Sequence, residues 1–186
     1  MPLLTKKDLD KMQSQLPDYR MELVKGEIIV MSPSGLESDE VAAEITRQLG
    51  NWVRPRRIGR VLGSSAGFVL MDGDQEDIRA PDCSFVQRDR MKRTTDDYAE
   101  LVPDLMFEVK SKSDSALALR RKIQGFLNLG TLVGVLVLPK REEVEVFCLG
   151  QERVILQNGD VLTVPELLPG WEMEVSSIWA ANFEED

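Results

Sequence analysis

Apolar and polar positions along the chain follow two periods, which together predict strands interleaved with two long helices. Residues Tyr19–Met31 alternate on either side of Lys25-Gly26-Glu27, which predicts a β-hairpin near the N-terminus. One helix begins at Ser38, and a second begins near Ser113-Asp114-Ser115 and ends before Gly130. The first helix carries its apolar stripe at four positions, which are Val41, Ile45, Leu49 and Trp52.

Short apolar runs between and after the helices predict the strands of a sheet. These runs are Phe68-Val69-Leu70, Pro81–Val86, Leu105–Lys110, Val133–Leu138, Val144–Leu149 and Arg153–Leu156. The continuous run Val133–Leu138 is typical of a buried central strand. A turn at Asn158-Gly159-Asp160 and a short helix near Val175–Ala181 complete the pattern. Interleaved strands and helices favour an α/β (α+β) fold with a mixed central sheet flanked by helices, rather than a bundle or a sandwich.

The domain organisation follows from length and composition. The 186 residues contain no repeat, no low-complexity tract and no Pro/Ser-rich linker, so we expect a single domain over residues 1–186. Residues 1–17 are expected to form an N-terminal extension, and residues 140–186 acidic C-terminal strands with a short helix. No apolar run approaches the length of about 18 residues that spans a membrane, and the N-terminus lacks a signal-peptide pattern. We therefore expect a cytoplasmic protein that does not contact a membrane.

The sequence contains no histidine and carries a net charge of −9. The absence of histidine excludes Ser-His-Asp and Cys-His catalysis and histidine-ligated zinc, which leaves carboxylates, lysines, hydroxyls or a metal ion for any chemistry. The negative charge argues at first against nucleic acid as a partner. However, residues 1–51 carry −3, residues 52–122 carry +2 and residues 123–186 carry −8. The acidity is therefore concentrated in the C-terminal third.

Two predicted strands each place one acid opposite an apolar face. Glu108 and Lys110 share the polar face of Leu105–Lys110, and Asp82 lies opposite the apolar face of Pro81–Val86. Asp82 and Glu108 offer the oxygen ligands that Mg²⁺ (or Mn²⁺) prefers, and Lys110 is placed to orient a water molecule or to stabilise negative charge. A Glu-x-Lys tripeptide is equally common on a solvated strand face with a weak ion pair, so these residues alone leave both interpretations open.

At these residues the chain resembles a known family. Pro81-Asp82 followed by Glu108-Val109-Lys110 is similar to the signature of PD-(D/E)XK nucleases. The surrounding residues resemble the Uma-type putative restriction endonuclease family, a former domain of unknown function. The matching phrases, in chain order, are Glu22–Ile28, Met31-Ser32-Pro33, Ser65–Phe68, Arg79–Val86, Pro103-Asp104-Leu105, Ser111–Asp114 and Leu168–Trp171.

The resemblance implies a restriction-endonuclease-like core that hydrolyses DNA with a metal ion. It implies Asp82 and Glu108 as the metal ligands. The family often takes its catalytic lysine from the following helix, which here offers Lys122, so the resemblance leaves two candidate lysines. We prefer Lys110 slightly, because of its position beside Glu108.

Two departures from the family pattern favour an alternative function. Phe126 stands where a tyrosine is usual, which removes a hydroxyl near the expected site. The central strand Val133–Leu138 lacks the usual aromatic residues and is followed by Pro139 without the usual aspartate. The alternative is a catalytically silent member of the fold that acts as a nucleic-acid or protein interaction module.

Two further acids are secondary candidates for the site. Glu44 lies on the first predicted helix, from which related nucleases often draw an additional acid, so it is a candidate third group at the metal site; a solvated helix edge is the alternative. Glu22 belongs to a family phrase, and it is either a site residue or a hairpin residue that faces water.

Basic residues form two dense stretches that are candidates for contact with DNA phosphates. The first stretch contains Arg54, Arg56, Arg57 and Arg60. Pro55 and Gly59 interrupt it, so we expect a loop, which contacts either phosphates or the acidic tail or simply faces water. The second stretch contains Arg88, Arg90, Lys92 and Arg93. Apolar elements expected on the surface of the tail are compatible with a homodimer.

Overall fold

The computed structural model describes residues 3–184, whose strands form two main sheets. Three helices accompany them, which are α1 Lys6–Gln15, α2 Leu36–Arg56 and α3 Ala116–Asn128. The smaller sheet has the order β2-β1-β5-β4, with β1 Arg20–Val24, β2 Glu27–Met31, β4 Phe68–Asp72 and β5 Gln75–Arg79. The larger sheet has the order β10-β9-β8-β7-β6-β3, with β3 Gly59–Gly63, β6 Cys83–Gln87, β7 Leu105–Val109, β8 Val133–Leu138, β9 Glu143–Cys148 and β10 Val154–Leu156.

The larger sheet is mixed, as the sequence predicts. Strands β7 and β8 run parallel, whereas every other neighbouring pair in this sheet is antiparallel. The chain returns from β7 to β8 through α3, because parallel neighbours need a crossover connection. Two short strands, β11 Val161–Thr163 and β12 Glu172–Glu174, pair beyond this sheet. The prediction of a mixed central sheet flanked by helices is confirmed.

The N-terminal hairpin is also confirmed, and its turn explains its register. Lys25 and Gly26 connect β1 to β2 with φ values of 51° and 73°. Two consecutive left-handed residues make the type of turn that matches the twist of antiparallel strands. The N-terminal extension contains an element that the apolar pattern does not predict, since α1 packs its buried Leu9 against Leu23 of β1 and Ile78 of β5.

Helices cover both faces of the larger sheet. The predicted stripe of α2 packs on one face, although Val53 rather than Trp52 is its last fully buried residue. On the other face, α3 packs Ile123, Phe126 and Leu127 against Met106 of β7 and other apolar side chains. Strand β7 is therefore buried on both faces, so a charged residue on it lies between the sheet and α3 rather than in water.

The C-terminal region packs against α2 and contains less helix than predicted. Val175–Ile178 form a single 3-10 turn, and the chain is extended at Trp179. Val175 and Ile178 are buried with Trp171 in the core cluster that α2 also joins, so this turn anchors the tail. Within residues 3–184, no helix is long and apolar enough to cross a membrane.

Gly134 of β8 allows α3 to approach the larger sheet closely. A Cβ atom at Gly134 of β8 would overlap the Ile123 side chain, whereas one at Gly125 of α3 would meet open space. We expect Gly134→Ala to lower the free energy of unfolding by about 2 kcal/mol, because the helix must shift. Gly125→Ala should raise it by about 0.5 kcal/mol, because alanine favours the helix. Urea unfolding followed by circular dichroism measures both changes. If the two variants changed the free energy of unfolding equally, the close approach of α3 at Gly134 would be contradicted.

Candidate active site

A cavity of about 410 Å³ lies beside the N-terminal parts of α2 and α3, and residues from both sheets line it. Because it contains the acids that the sequence predicts to be catalytic, we call it the catalytic cavity. Its lining is unusually rich in charged side chains. The acids are Glu22, Asp39, Asp82, Glu108 and Asp114, and the cations are Arg20, Arg79 and Lys122. The structure thus brings together residues that lie as much as a hundred positions apart in the sequence.

Backbone pairing between β6 and β7 places Asp82 and Glu108 in this cavity. Asp82 directly precedes β6, and its amide donates to the carbonyl of Phe107 at 3.0 Å. Its Oδ2 accepts a hydrogen bond of 2.7 Å from the amide of Val109, which fixes the carboxylate beside the end of β7. Glu108 lies between these two contacts on β7. The two acids therefore line the same cavity.

Helix α3 covers Glu108 with the side chain of Lys122. The Nζ atom of Lys122 lies 2.9 Å from Oε1 of Glu108 and 3.2 Å from Oε1 of Glu22, and it donates to the carbonyl of Ala80 at 2.8 Å. Lys122 is 6% exposed and Glu108 is 3% exposed. Oε1 of Glu108 has no hydrogen-bond donor in good alignment despite the short distance to Nζ. The Lys122 ammonium therefore contacts two buried acids, and Oε1 of Glu108 is left without an aligned hydrogen bond.

Burial and neighbouring charges shift the pKa values of Glu108, Asp82 and Lys122 in opposite directions. Burial raises the pKa of Glu108 to about 8, in spite of the nearby Lys122 ammonium. Burial also raises the pKa of Asp82, although the Val109 amide opposes the shift. Burial alone would lower the pKa of Lys122, but the carboxylates of Glu108 and Glu22 raise it above its ordinary value. Lys122 is accordingly a cation near neutral pH.

Glu22 belongs to this charged cluster, and the water-facing alternative for it is wrong. Its side chain is 7% exposed and accepts hydrogen bonds from the Ala80 amide at 2.9 Å and from Nε of Arg79 at 3.2 Å. Burial alone would raise the pKa of Glu22, but the charges of Lys122 and Arg79 lower it below its ordinary value. Glu22 therefore contacts Lys122 from the smaller sheet, and Glu108 contacts it from the larger sheet.

Lys110 and Glu44 lie outside the lining of the catalytic cavity. Lys110 follows the last residue of β7, where strand alternation ends, and its Nζ donates to the carbonyl of Ser111 at 3.0 Å. Glu44 is two residues beyond Ala42, which lines the cavity, so it lies on a different side of α2. Its carboxylate accepts hydrogen bonds from Arg47 and Gln48. The acid that α2 does place in the lining is Asp39, which the sequence pattern did not single out.

Phe126 does not border the catalytic cavity either. It is fully buried in the apolar cluster beneath α3, where its ring meets the ring of Phe68 edge to face at 6.5 Å. The replacement of a family tyrosine there changes the core rather than the lining of the cavity.

The predicted arginine cluster lies at the other end of α2, and most of it is not on a loop. Helix α2 continues through Pro55 to Arg56, and Arg60 lies on β3. Only Arg57 and Ile58 connect the helix to the strand. Pro55 lies in the last turn of α2, where it lacks the N–H for one helical hydrogen bond, and the helix ends one residue later at Arg56. Arg56 stacks on the ring of Trp52 at 3.3 Å.

The donor set of Asp82 and Glu108 fits a divalent cation. Both groups offer carboxylate oxygens, and the buried Oε1 of Glu108 has no aligned hydrogen-bond donor, although the Lys122 ammonium lies 2.9 Å from it. Across residues 3–184, no three Asp, Glu or Cys side chains are grouped as a metal site. An ion would therefore take oxygens from these two residues and complete its shell with water and substrate, as Mg²⁺ commonly does.

Comparison with known proteins gives one family and one fold. The family model Uma2, described as "Putative restriction endonuclease", matches residues 7–176. A crystal structure of a putative nuclease belonging to DUF820 from Anabaena variabilis ATCC 29413 matches with a TM-score of 0.72 and 23% identity, over 85% of this chain and 88% of that chain. No curated protein matches the sequence. Because the family model spans nearly the whole chain, the resemblance is confirmed, and this chain belongs to the Uma2 family.

Proposed function

We propose that this protein is a metal-dependent endonuclease that hydrolyses phosphodiester bonds in DNA, with Asp82, Glu108 and Lys122 as its catalytic groups. The contact of 2.9 Å between Nζ of Lys122 and the buried Oε1 of Glu108 carries this proposal. Buried ion pairs are costly and are often replaceable by apolar residues without loss of stability. Such a pair beside a second buried acid is therefore better explained by chemistry, and membership of the Uma2 family supports a nuclease-like function.

Asp82 and Glu108 would hold Mg²⁺ (or Mn²⁺) through their carboxylate oxygens. When bound, the ion lowers the pKa of a coordinated water molecule and offsets the charge of the phosphate. The hydrogen bond from the Val109 amide orients the Asp82 carboxylate, and the pairing of β7 in the centre of the sheet restrains Glu108. Ligands on paired strands keep their positions better than ligands on loops.

Lys122 serves as a cation and hydrogen-bond donor rather than as a proton acceptor. Glu108 and Glu22 raise its pKa, so its ammonium has no free electron pair near neutral pH. The ammonium is suited to stabilise negative charge that builds on phosphate oxygens while the oxygen of water bonds to phosphorus and the bond to the leaving oxygen breaks. The attacking water gives up one proton to solvent, and the leaving oxygen takes one from solvent, so that protons balance. We therefore assign this role to Lys122 and not to Lys110, which lies outside the lining.

Removal of the Lys122 ammonium should destabilise the fold in a pH-dependent way. We expect Lys122→Met to lower the free energy of unfolding by about 3 kcal/mol near neutral pH, because it leaves the buried Glu22 carboxylate without the Lys122 ammonium and removes the cation beside the Glu108 carboxyl group, whose pKa burial raises to about 8. The pKa of Glu22 is lowered in the folded protein, so the stability that Glu22 gains from Lys122 is present above its ordinary pKa and is lost as the pH falls through the lowered value. The difference between wild type and variant should therefore shrink in acid.

Urea unfolding of both proteins from neutral to acid pH measures this difference. Lys110→Met is the matched control, because the Lys110 ammonium contacts a backbone carbonyl. It should change the free energy of unfolding by less than about 0.5 kcal/mol. Equal losses in the two variants, or a difference that does not depend on pH, would contradict the charge assignment.

Divalent cations should stabilise the folded protein through Asp82 and Glu108. At a Mg²⁺ concentration about 100 times the dissociation constant, we expect the Tm of the wild type to rise by about 5 °C, because the ion binds only the folded state. Asp82→Asn and Glu108→Gln should abolish the rise, whereas Glu44→Gln should keep it. Differential scanning calorimetry with and without chelator measures the shift. A rise of equal size in all four proteins would place the ion elsewhere.

Cleavage of nucleic acid is the direct test of the proposed activity. Plasmid, single-stranded DNA and RNA are incubated with protein in Mg²⁺ or Mn²⁺ and, separately, with chelator. We expect the wild type to cleave DNA only with the metal ion, and Asp82→Ala, Glu108→Ala and Lys122→Met to lose at least about 100-fold in rate. Lys110→Met should retain the activity. Cleavage that survives both acid substitutions would refute the site, and cleavage of no substrate would favour the interaction module.

A further inference from the structure

A second cavity, of about 670 Å³, lies at the C-terminal end of α2 and is lined almost entirely by basic and apolar residues. Its walls are the last turns of α2, strand β3 and the segment that follows β6. We call it the basic groove. Five cations line it, which are Arg54, Arg57, Arg60, Arg88 and Lys92, and its lining contains no Asp or Glu. Two stretches that are separate in the sequence thus form one surface.

The cations of the basic groove have few acidic neighbours. Arg60 donates to the carbonyls of Met91 and Lys92 at 3.0 and 2.9 Å, which fastens the segment after β6 to β3. Arg88 has one distant contact of 3.6 Å with the exposed Asp89. Elsewhere in residues 3–184, the ion pairs do not involve Arg54, Arg57, Arg60 or Lys92. Like charges gathered without acids repel one another, and an anionic ligand relieves that repulsion.

We propose that the basic groove binds the sugar-phosphate backbone of DNA at a distance from the catalytic cavity. This inference rests on the proposed nuclease function and adds a second contact region to it. Helix α2 joins the two regions: Ala42 lines the catalytic cavity, Thr46 lines the near edge of the groove one turn later, and Arg54 lines the groove twelve residues after Ala42. Arg54 therefore lies about 18 Å from Ala42 along the helix axis, which is about five base pairs of B-DNA. A polymer is long enough to occupy both regions, whereas a single phosphate is not.

The charge distribution of the protein supports DNA as the occupant. The catalytic cavity has five acids and three cations in its lining, so it does not attract a polyanion before a metal ion binds. The basic groove supplies that attraction on a chain whose net charge is −9. Apart from these cations, the lining includes the apolar residues Val53, Val61 and Met91, and a surface of cations and apolar side chains is consistent with contact to the phosphate backbone.

Binding of a labelled duplex without a catalytic metal tests the groove separately from catalysis. Fluorescence anisotropy with a duplex of about 24 base pairs in chelator, across a range of NaCl concentrations, gives the affinity and its salt dependence. The double variant Arg57→Gln/Lys92→Gln should bind about tenfold more weakly at low salt, and the slope of log Kd against log salt should fall by about two. Both residues are exposed, so the variant should fold normally.

The matched control removes the same amount of charge from another surface. Lys7 and Lys11 are exposed on α1, and Lys7→Gln/Lys11→Gln should bind within about twofold of the wild type. Groove and control variants that bind equally well would overturn the proposal, as would a wild type that binds pyrophosphate but no duplex. DNA binding through the groove by a protein that cleaves nothing would refute only the nuclease. Cleavage with unchanged binding by the groove variant would refute only the groove.

Discussion

The burial of one ammonium between two carboxylates is the interaction on which the arrangement of this protein depends. Lys122 comes from α3, Glu108 from the larger sheet and Glu22 from the smaller sheet, so each element contributes one charge to a shared cluster. Removal of Lys122 leaves both acids without their shared cation in a region that water hardly reaches. The cluster therefore specifies how the two sheets and the helix fit together, and the same requirement places a cation beside the acids that would hold a metal ion.

The two cavities divide the electrostatic requirements of a nuclease between them. The catalytic cavity concentrates acids, which suits a divalent cation but not a phosphate backbone. The basic groove concentrates cations without acids, which suits the backbone but provides no metal ligand. Helix α2 is a rigid connection of fixed length between them. A protein with a strongly negative overall charge can thus act on a polyanion, because local charge rather than net charge governs each contact.

Much of the fold follows from local patterns, whereas the site depends on contacts between distant residues. The N-terminal hairpin, α2 and the central strand β8 are evident in the sequence because their apolar periods and turn residues agree. Helix α1 is not, since Leu9 is its one buried residue and a short polar helix leaves a weak signal. Strand alternation places Glu108 on the side of β7 opposite its apolar face, but it does not show that α3 covers the side that carries Glu108.

The choice between the two lysines illustrates the same distinction. Lys110 is close to Glu108 in the sequence, but the strand ends before it and its side chain turns towards Ser111. Lys122 is fourteen residues from Glu108, yet the first two turns of α3 and the packing of this helix return its Nζ to within 2.9 Å of Oε1 of Glu108. Only the family resemblance offered a reason to consider Lys122, and no local pattern could have ranked it first. The convergence of Arg57 and Lys92 in one groove was likewise beyond the reach of local patterns.

The separation of Glu22 and Lys122 by one hundred residues also affects the order of events during protein synthesis. The hairpin that carries Glu22 leaves the ribosome early, but its partner follows only after more than half of the chain has been made. A contact between residues so far apart forms late, because the intervening chain must first be ordered. The growing polypeptide therefore lacks the assembled charge cluster until α3 has docked. Any chemistry that depends on this cluster must wait until the chain has been made beyond Lys122.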